Sequence, residues 1–129
     1  MVVDRERMCG ACWMSMRTNV TERAEDFYCE YVLSGKIQIE VVRESPSILA
    51  FHHTQPSYPI HIVIIPKVHI PTLLDVADLA LIQEIFEVAT SIIRELDLQD
   101  SNFRIITNGG AFQDSKHLHF HLVSGSALN

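Results

Sequence analysis

The sequence predicts an α+β domain with a mainly antiparallel five-stranded sheet, one long helix and one N-terminal helix. Three observations predict it. A single long segment carries apolar residues at helical spacing, five short segments carry strand patterning, and turn residues separate them. The order, helix, three strands, helix, two strands, differs from the strict strand–helix alternation of a parallel sheet.

The elements follow in chain order. Residues 1–20 read as an arm with no clear periodicity, carrying Cys9 and Cys12, and residues 21–129 as one domain. Thr21, with Glu22 and Glu25 in the first turn, opens a helix that runs to about Leu33, where Ser34 and Gly35 stop it. Ile37, Ile39 and Val41 then alternate with Gln38 and Glu40, the period of a half-buried strand. A turn over Glu44, Ser45, Pro46 and Ser47 leads into a second strand at 48–51. A polar loop, 52–59, carries Pro56 and Pro59 and leads into a third strand at 60–65. Pro66 ends that strand because it has no N–H for the ladder. Asp75 is the expected N-cap of the long helix, whose apolar face holds Leu79, Ile82, Ile85, Phe86, Ala89, Ile92, Ile93 and Leu96. Residues 103–107 give a fourth strand, Asn108 to Gly110 a loop, and 116–123 the last strand. Such a sheet needs cover on both faces, which a homodimer would supply.

Composition narrows the function. At 129 residues the chain fits one domain, and 47% hydrophobic with 20% charged residues is ordinary globular usage. A net charge of −6 argues against DNA or RNA as partner, since a phosphate backbone needs clustered Lys and Arg. A single nucleotide needs only local donors. The longest apolar run, 60–66, contains His61 and falls far short of the roughly 20 residues that span a membrane. The charged start at 1–7 lacks the apolar stretch of a signal peptide, and three cysteines, an odd number, do not suggest a secreted disulfide framework. The expected compartment is the cytoplasm.

The chemistry is concentrated in His117, His119 and His121, which alternate with Leu118, Phe120 and Leu122. On a strand this alternation sends the imidazoles to one side and the apolar residues to the core. A lone strand histidine is usually structural, but three on one face are a built feature. A single metal ion is hard to reach from positions spread along roughly 13 Å of one strand, given donor distances near 2 Å. A nucleophile fits better, one imidazole attacking while its strand neighbours bind and polarise phosphate oxygens.

With these residues the sequence resembles the histidine-triad (HIT) family of nucleotide hydrolases and transferases. The likeness extends to residues 48–51, to His61 through Pro66, Lys67 and His69, and to Asn108 and Gln113. The resemblance implies that His119 is a nucleophile forming a covalent nucleotidyl–imidazole intermediate. It implies that His121 and His61 bind phosphate oxygens and orient the nucleophile, that Gln113 is a phosphate-loop contact, and that Asn108 lies near the nucleotide. No cofactor is required for that chemistry. The substrates implied are nucleoside phosphoramidates, nucleoside phosphosulfates or dinucleoside polyphosphates. A nucleotidyltransferase of the same mechanism, a non-catalytic nucleotide-binding module and a structural metal-binding protein are the alternatives.

Two positions depart from the family pattern. His53 stands where an aspartate usually holds the ribose hydroxyls, and an imidazole cannot accept two hydrogen bonds as a carboxylate does. Asp114 stands where a serine usually assists the leaving group, and it would act as an acid only if burial raised its pKa. The resemblance also implies a structural zinc, held by a cysteine pair with His69 and His117. Three arrangements stay open: Cys9 and Cys12, Asp26 and Cys29, or no zinc.

Overall fold

The computed structural model describes residues 27–128. The expected arm at 1–20, Cys9, Cys12, Asp26 and most of the expected first helix lie outside those residues. What is described of that helix is one π-helical turn, Tyr28–Leu33.

Five strands form one sheet: β1 (Val41–Glu44), β2 (Ile48–His52), β3 (Ile60–Pro66), β4 (Arg104–Thr107) and β5 (Phe120–Ser124). Their spatial order is β1-β2-β3-β5-β4, and every neighbouring pair is antiparallel. One long helix, α1 (Leu79–Glu95), crosses between β3 and β4 in sequence. No helix among the described residues is long and apolar enough to cross a membrane.

Strand alternation divides the core in two. Ile48, Ala50, Ile62, Ile64, Leu118, Phe120 and Leu122 face α1, whose Ile85, Val88, Ala89, Ile92 and Ile93 are buried against them. Leu49, Phe51, Val63 and Ile65 face the opposite way, onto Tyr28, Cys29, Val32 and Leu33 of the π-helical turn. Each buried aliphatic side chain contributes about 1.5–3 kcal/mol relative to exposure. The second face is therefore covered in part by the π-helical turn, and the histidines stand on that same face.

Three boundaries differ from the expectation. The strand expected at 37–41 begins only at Val41, because Ile37 N–H pairs with Tyr31 C=O and holds Ile37 and Ile39 against the π-helical turn. The cap of α1 is Asp78, whose side chain accepts from Ala80 N–H at 3.0 Å. Asp75 instead closes a 3₁₀ turn, Leu73–Asp75, in a reciprocal capping box with Thr72. On α1, Leu79, Phe86 and Leu96 are exposed while Val88 is buried. The last ladder begins at Phe120, not 116, since Leu118 N–H is taken by Ile70 C=O.

Candidate functional site

Four imidazoles gather on the face away from α1. His53 continues the β2–β3 ladder through its N–H to His61 C=O at 2.8 Å, so the two residues stand opposite each other. Their rings are tilted by 32° with centroids 4.3 Å apart. His61 pairs with Val123 and His121 with Val63, which makes His61 and His121 diagonal neighbours on one face of adjacent strands. His119 completes the group, its ring 5.0 Å from that of His121 and edge-on to it. Tyr28 packs on the other side, 4.8 Å from the His119 ring.

Backbone partners fix which ring nitrogen carries each hydrogen. His119 Nδ1–H donates to His117 C=O at 2.7 Å, leaving the lone pair on Nε2. Ser57 N–H donates to His61 Nδ1 at 2.9 Å, so the hydrogen of His61 sits on Nε2 and is donated to His121 Nδ1, also at 2.9 Å. His121 then presents Nε2–H. Gln55 N–H donates to His53 Nδ1 at 2.9 Å, which leaves His53 with Nε2–H as well. His53, His61 and His121 each have a ring nitrogen within 4.8 Å of the others, close enough to surround an ion. With His61 Nε2–H committed to His121, it is His53 and His121 that present N–H groups, suited to an anion more than to a cation.

Crowding keeps these rings neutral. Burial pushes His61 down to about 4, with His53 adding to it. Burial, then the neighbouring His119, His61 and His53, pushes His121 down to about 3. His53 is lowered by burial, and His119 is lowered by burial against the opposing pull of its backbone hydrogen bond. Tyr28 is pushed up by burial and by the charge of Asp114.

The remaining expected site residues are placed as follows. His117 is fully buried, turned away from the four-histidine group, and donates Nε2–H to Pro66 C=O at 2.8 Å. Its Nδ1 lone pair points at Cys29 Sγ, 3.2 Å away, and His69 Nδ1 lies 3.6 Å from the same sulfur. Gln113 is buried and spends its amide N–H groups on Pro71 C=O and Ser115 C=O, so it braces the loop before the triad. Its Oε1 is buried without a hydrogen-bond partner among the described residues. Asp114 is exposed, so the burial on which an acid role depends is absent. Asn108 is half-buried at the end of β4.

Several contributors carry no signal in the sequence. Ser57, Gln55 and Pro66 act through backbone groups, which any residue type could supply. Thr107 Oγ1 donates to His119 C=O at 3.0 Å, and Lys116 Nζ donates to Gln113 C=O at 2.9 Å across the loop. Tyr28 hides in an apolar stretch whose spacing says only that it is buried.

Cys29, His69 and His117 offer one sulfur and two nitrogens, all within 4.8 Å of one another. Because His117 Nε2–H is committed to a carbonyl, its Nδ1 is free of hydrogen and able to ligate. Thiolate and imidazole are the donors zinc prefers; Cys29 is disulfide-bonded in this structure, so the set fits zinc only with that bond reduced. It includes Cys29 of the Asp26–Cys29 arrangement; Asp26, Cys9 and Cys12 fall outside the described residues.

Residues 34–128 match the HIT domain family. A HIT-like protein of Rickettsia prowazekii is 33% identical over 102 residues, 75% of this chain and 85% of that protein. A purine nucleoside phosphoramidase of Escherichia coli is 31% identical over 110 residues, 81% of this chain and 92% of the enzyme. Among solved structures, a HIT family hydrolase from Legionella pneumophila superposes with a TM-score of 0.69 at 33% identity, covering 77% of this chain and 92% of that one.

Proposed function

This chain belongs to the HIT domain family, and from that premise we propose that it hydrolyses nucleoside phosphoramidates through a covalent nucleotidyl intermediate on His119. The observation that carries the reading is the His119 tautomer. Its Nδ1–H is held by His117 C=O, so a neutral ring presents an Nε2 lone pair beside the donor His121.

In the first step Nε2 of His119 attacks the α-phosphorus. The Nε2–P bond forms as the P–N bond breaks, and the departing amine takes a proton from solvent. The positive charge left on the ring is stabilised at Nδ1–H by the His117 carbonyl. His121 Nε2–H donates to a non-bridging oxygen, where negative charge builds, and His61 holds His121 in that tautomer. Water then attacks phosphorus and releases a proton to solvent. The Nε2–P bond breaks, and nucleoside monophosphate leaves neutral His119 behind. Splitting one displacement into two lowers each barrier.

Zinc held by Cys29, His69 and His117 would tie the π-helical turn to the triad and needs no part in either step. The chain is proposed to work as a homodimer in the cytoplasm, with β4 at a sheet edge and the exposed Leu79 and Phe112 available to a second copy.

Intact-protein mass spectrometry after acid quench, at milliseconds to seconds, tests the mechanism. Wild type mixed with adenosine and guanosine phosphoramidates gains a nucleotidyl mass, and His119→Ala gains none. Turnover without any adduct, or an adduct on His119→Ala, would remove His119 as nucleophile. An adduct that persists until a phosphate-bearing acceptor is added would redirect the reading to nucleotidyl transfer.

A further inference from the structure

The sheet face that carries the histidines continues past them. His61 on β3 pairs with Val123 on β5, and Val123 pairs with Arg104 on β4. Residues opposite each other project to one side of a sheet, so Arg104 stands on the histidine face, level with His61 and Val123. Here lies a cavity of about 110 Å³, whose lining includes Tyr58, Asn102, Arg104, Val123, Ser124 and Gly125. The Tyr58 ring also meets His61 edge-on, centroids 5.8 Å apart, so the cavity adjoins the four-histidine group. Beside the roughly 300–1,000 Å³ of small-molecule sites this space is too small for a nucleoside and suits one polar group.

The polar groups of the cavity are donors. The Arg104 guanidinium donates only and keeps its charge. It is exposed and joins no ion pair among the described residues. Asn102 Oδ1 accepts from Gly125 N–H at 2.8 Å, which leaves its Nδ2–H₂ to donate. Tyr58 brings a hydroxyl, and neither Asp nor Glu lines the space. We propose that this cavity holds an acidic group, carboxylate or phosphate, on the part of the substrate that leaves. Arg104 is thereby the residue that selects leaving groups carrying such a charge. The proposal rests on the nucleotide-hydrolysing reading and deepens it. In-line displacement puts the leaving group on the side of phosphorus opposite the nucleophile. β5 runs from His119 through His121 to Val123, so the cavity lies at the far end of that row from the nucleophile. Val123 is about 7 Å along the strand from His121, a span that an amine bridges when its acid sits two or three carbons away.

Steady-state hydrolysis by the full chain tests this, with adenosine and guanosine 5′-phosphoramidates of three amines. These are β-alanine, which ends in a carboxylate, its neutral amide, and 2-aminoethyl phosphate. Wild type is expected to favour an acidic compound over the amide by about fivefold in kcat/KM, the scale of a partly exposed ion pair. The larger preference, for the carboxylate or for the phosphate, identifies which acid the cavity takes. In Arg104→Gln the acid-to-amide ratio falls towards one, while Arg104→Lys, which keeps the charge, keeps a ratio above one. Each ratio is read on one preparation, so a variant that folds less completely leaves it unmoved. A wild-type ratio of one for both acids, or a ratio unchanged in Arg104→Gln, overturns the assignment. If wild type still hydrolyses the neutral amide compound in that case, the proposed function survives without it. Wild type that hydrolyses none of the three and gains no nucleotidyl mass overturns both.

Discussion

His61 never touches the nucleophile's lone pair, yet the geometry makes it decisive for how His121 presents its hydrogen. It takes a hydrogen bond from Ser57 N–H and passes one to His121 Nδ1. His61→Phe keeps an aromatic ring but breaks the relay, leaving His121 free to swap tautomers. Since mispositioning a reacting group by an ångström can cost about 10²-fold, kcat is expected to fall by about that factor with KM changed far less. Steady-state kinetics check it; an unchanged kcat would show that His121 needs no such support. The alternation of His117, His119 and His121 was legible in the sequence, because a strand's period of two sorts side chains by face. What could not be read was the difference between them. Leu118 N–H pairs outside the ladder, and His117 turns to Pro66 and Cys29, both far away in sequence. Tautomers were equally hidden, being set by backbone groups whose positions exist only after folding.

At the scale of elements, α1 was the clearest reading, because a run of 17 residues averages out local exceptions. Its start was not clear. Asp75 and Asp78 both fit a cap by residue type, and the choice is made by Thr72, which engages Asp75 in the preceding turn. Asp78→Ala removes the acceptor for Ala80 N–H and should lower stability by about 1 kcal/mol in urea titration. The same substitution at Asp75 would leave α1 capped. A second element-scale prediction concerns the π-helical turn. Cys29 lies on it, His69 follows β3 and His117 precedes β5, so zinc there would join three separate segments. Elemental analysis should find one zinc per chain, lost in Cys29→Ser, and chelation should lower the melting temperature. Metal-free protein with Cys29 oxidised, and with unchanged melting on chelation, would exclude zinc.

Across the whole molecule, the crowded imidazoles make stability depend on pH. Unfolded histidines titrate near 6.5, while His61 and His121 in the fold hold out to about 4 and about 3. Between those limits the unfolded chain binds more protons than the folded one, so stability rises with pH and is lost as pH falls from about 6.5. Melting temperature should therefore drop through that window in wild type. The double variant His61→Asn, His121→Asn should flatten the slope, and an equal slope in both would place the acid sensitivity elsewhere. The α+β class and the five strands were readable from patterning alone. Their edges were not, since Ile37 and Ile39 are drawn off by the π-helical turn. One peptide unit joins what otherwise look like two independent sites. The ring of His117 is committed to Pro66 and aimed at Cys29, while its carbonyl holds the hydrogen of His119. For anyone transplanting this motif to another scaffold, the graft must therefore bring the anchor along with the triad. A copy of the three side chains without their cysteine and proline partners would carry a nucleophile with nothing to hold its ring in register.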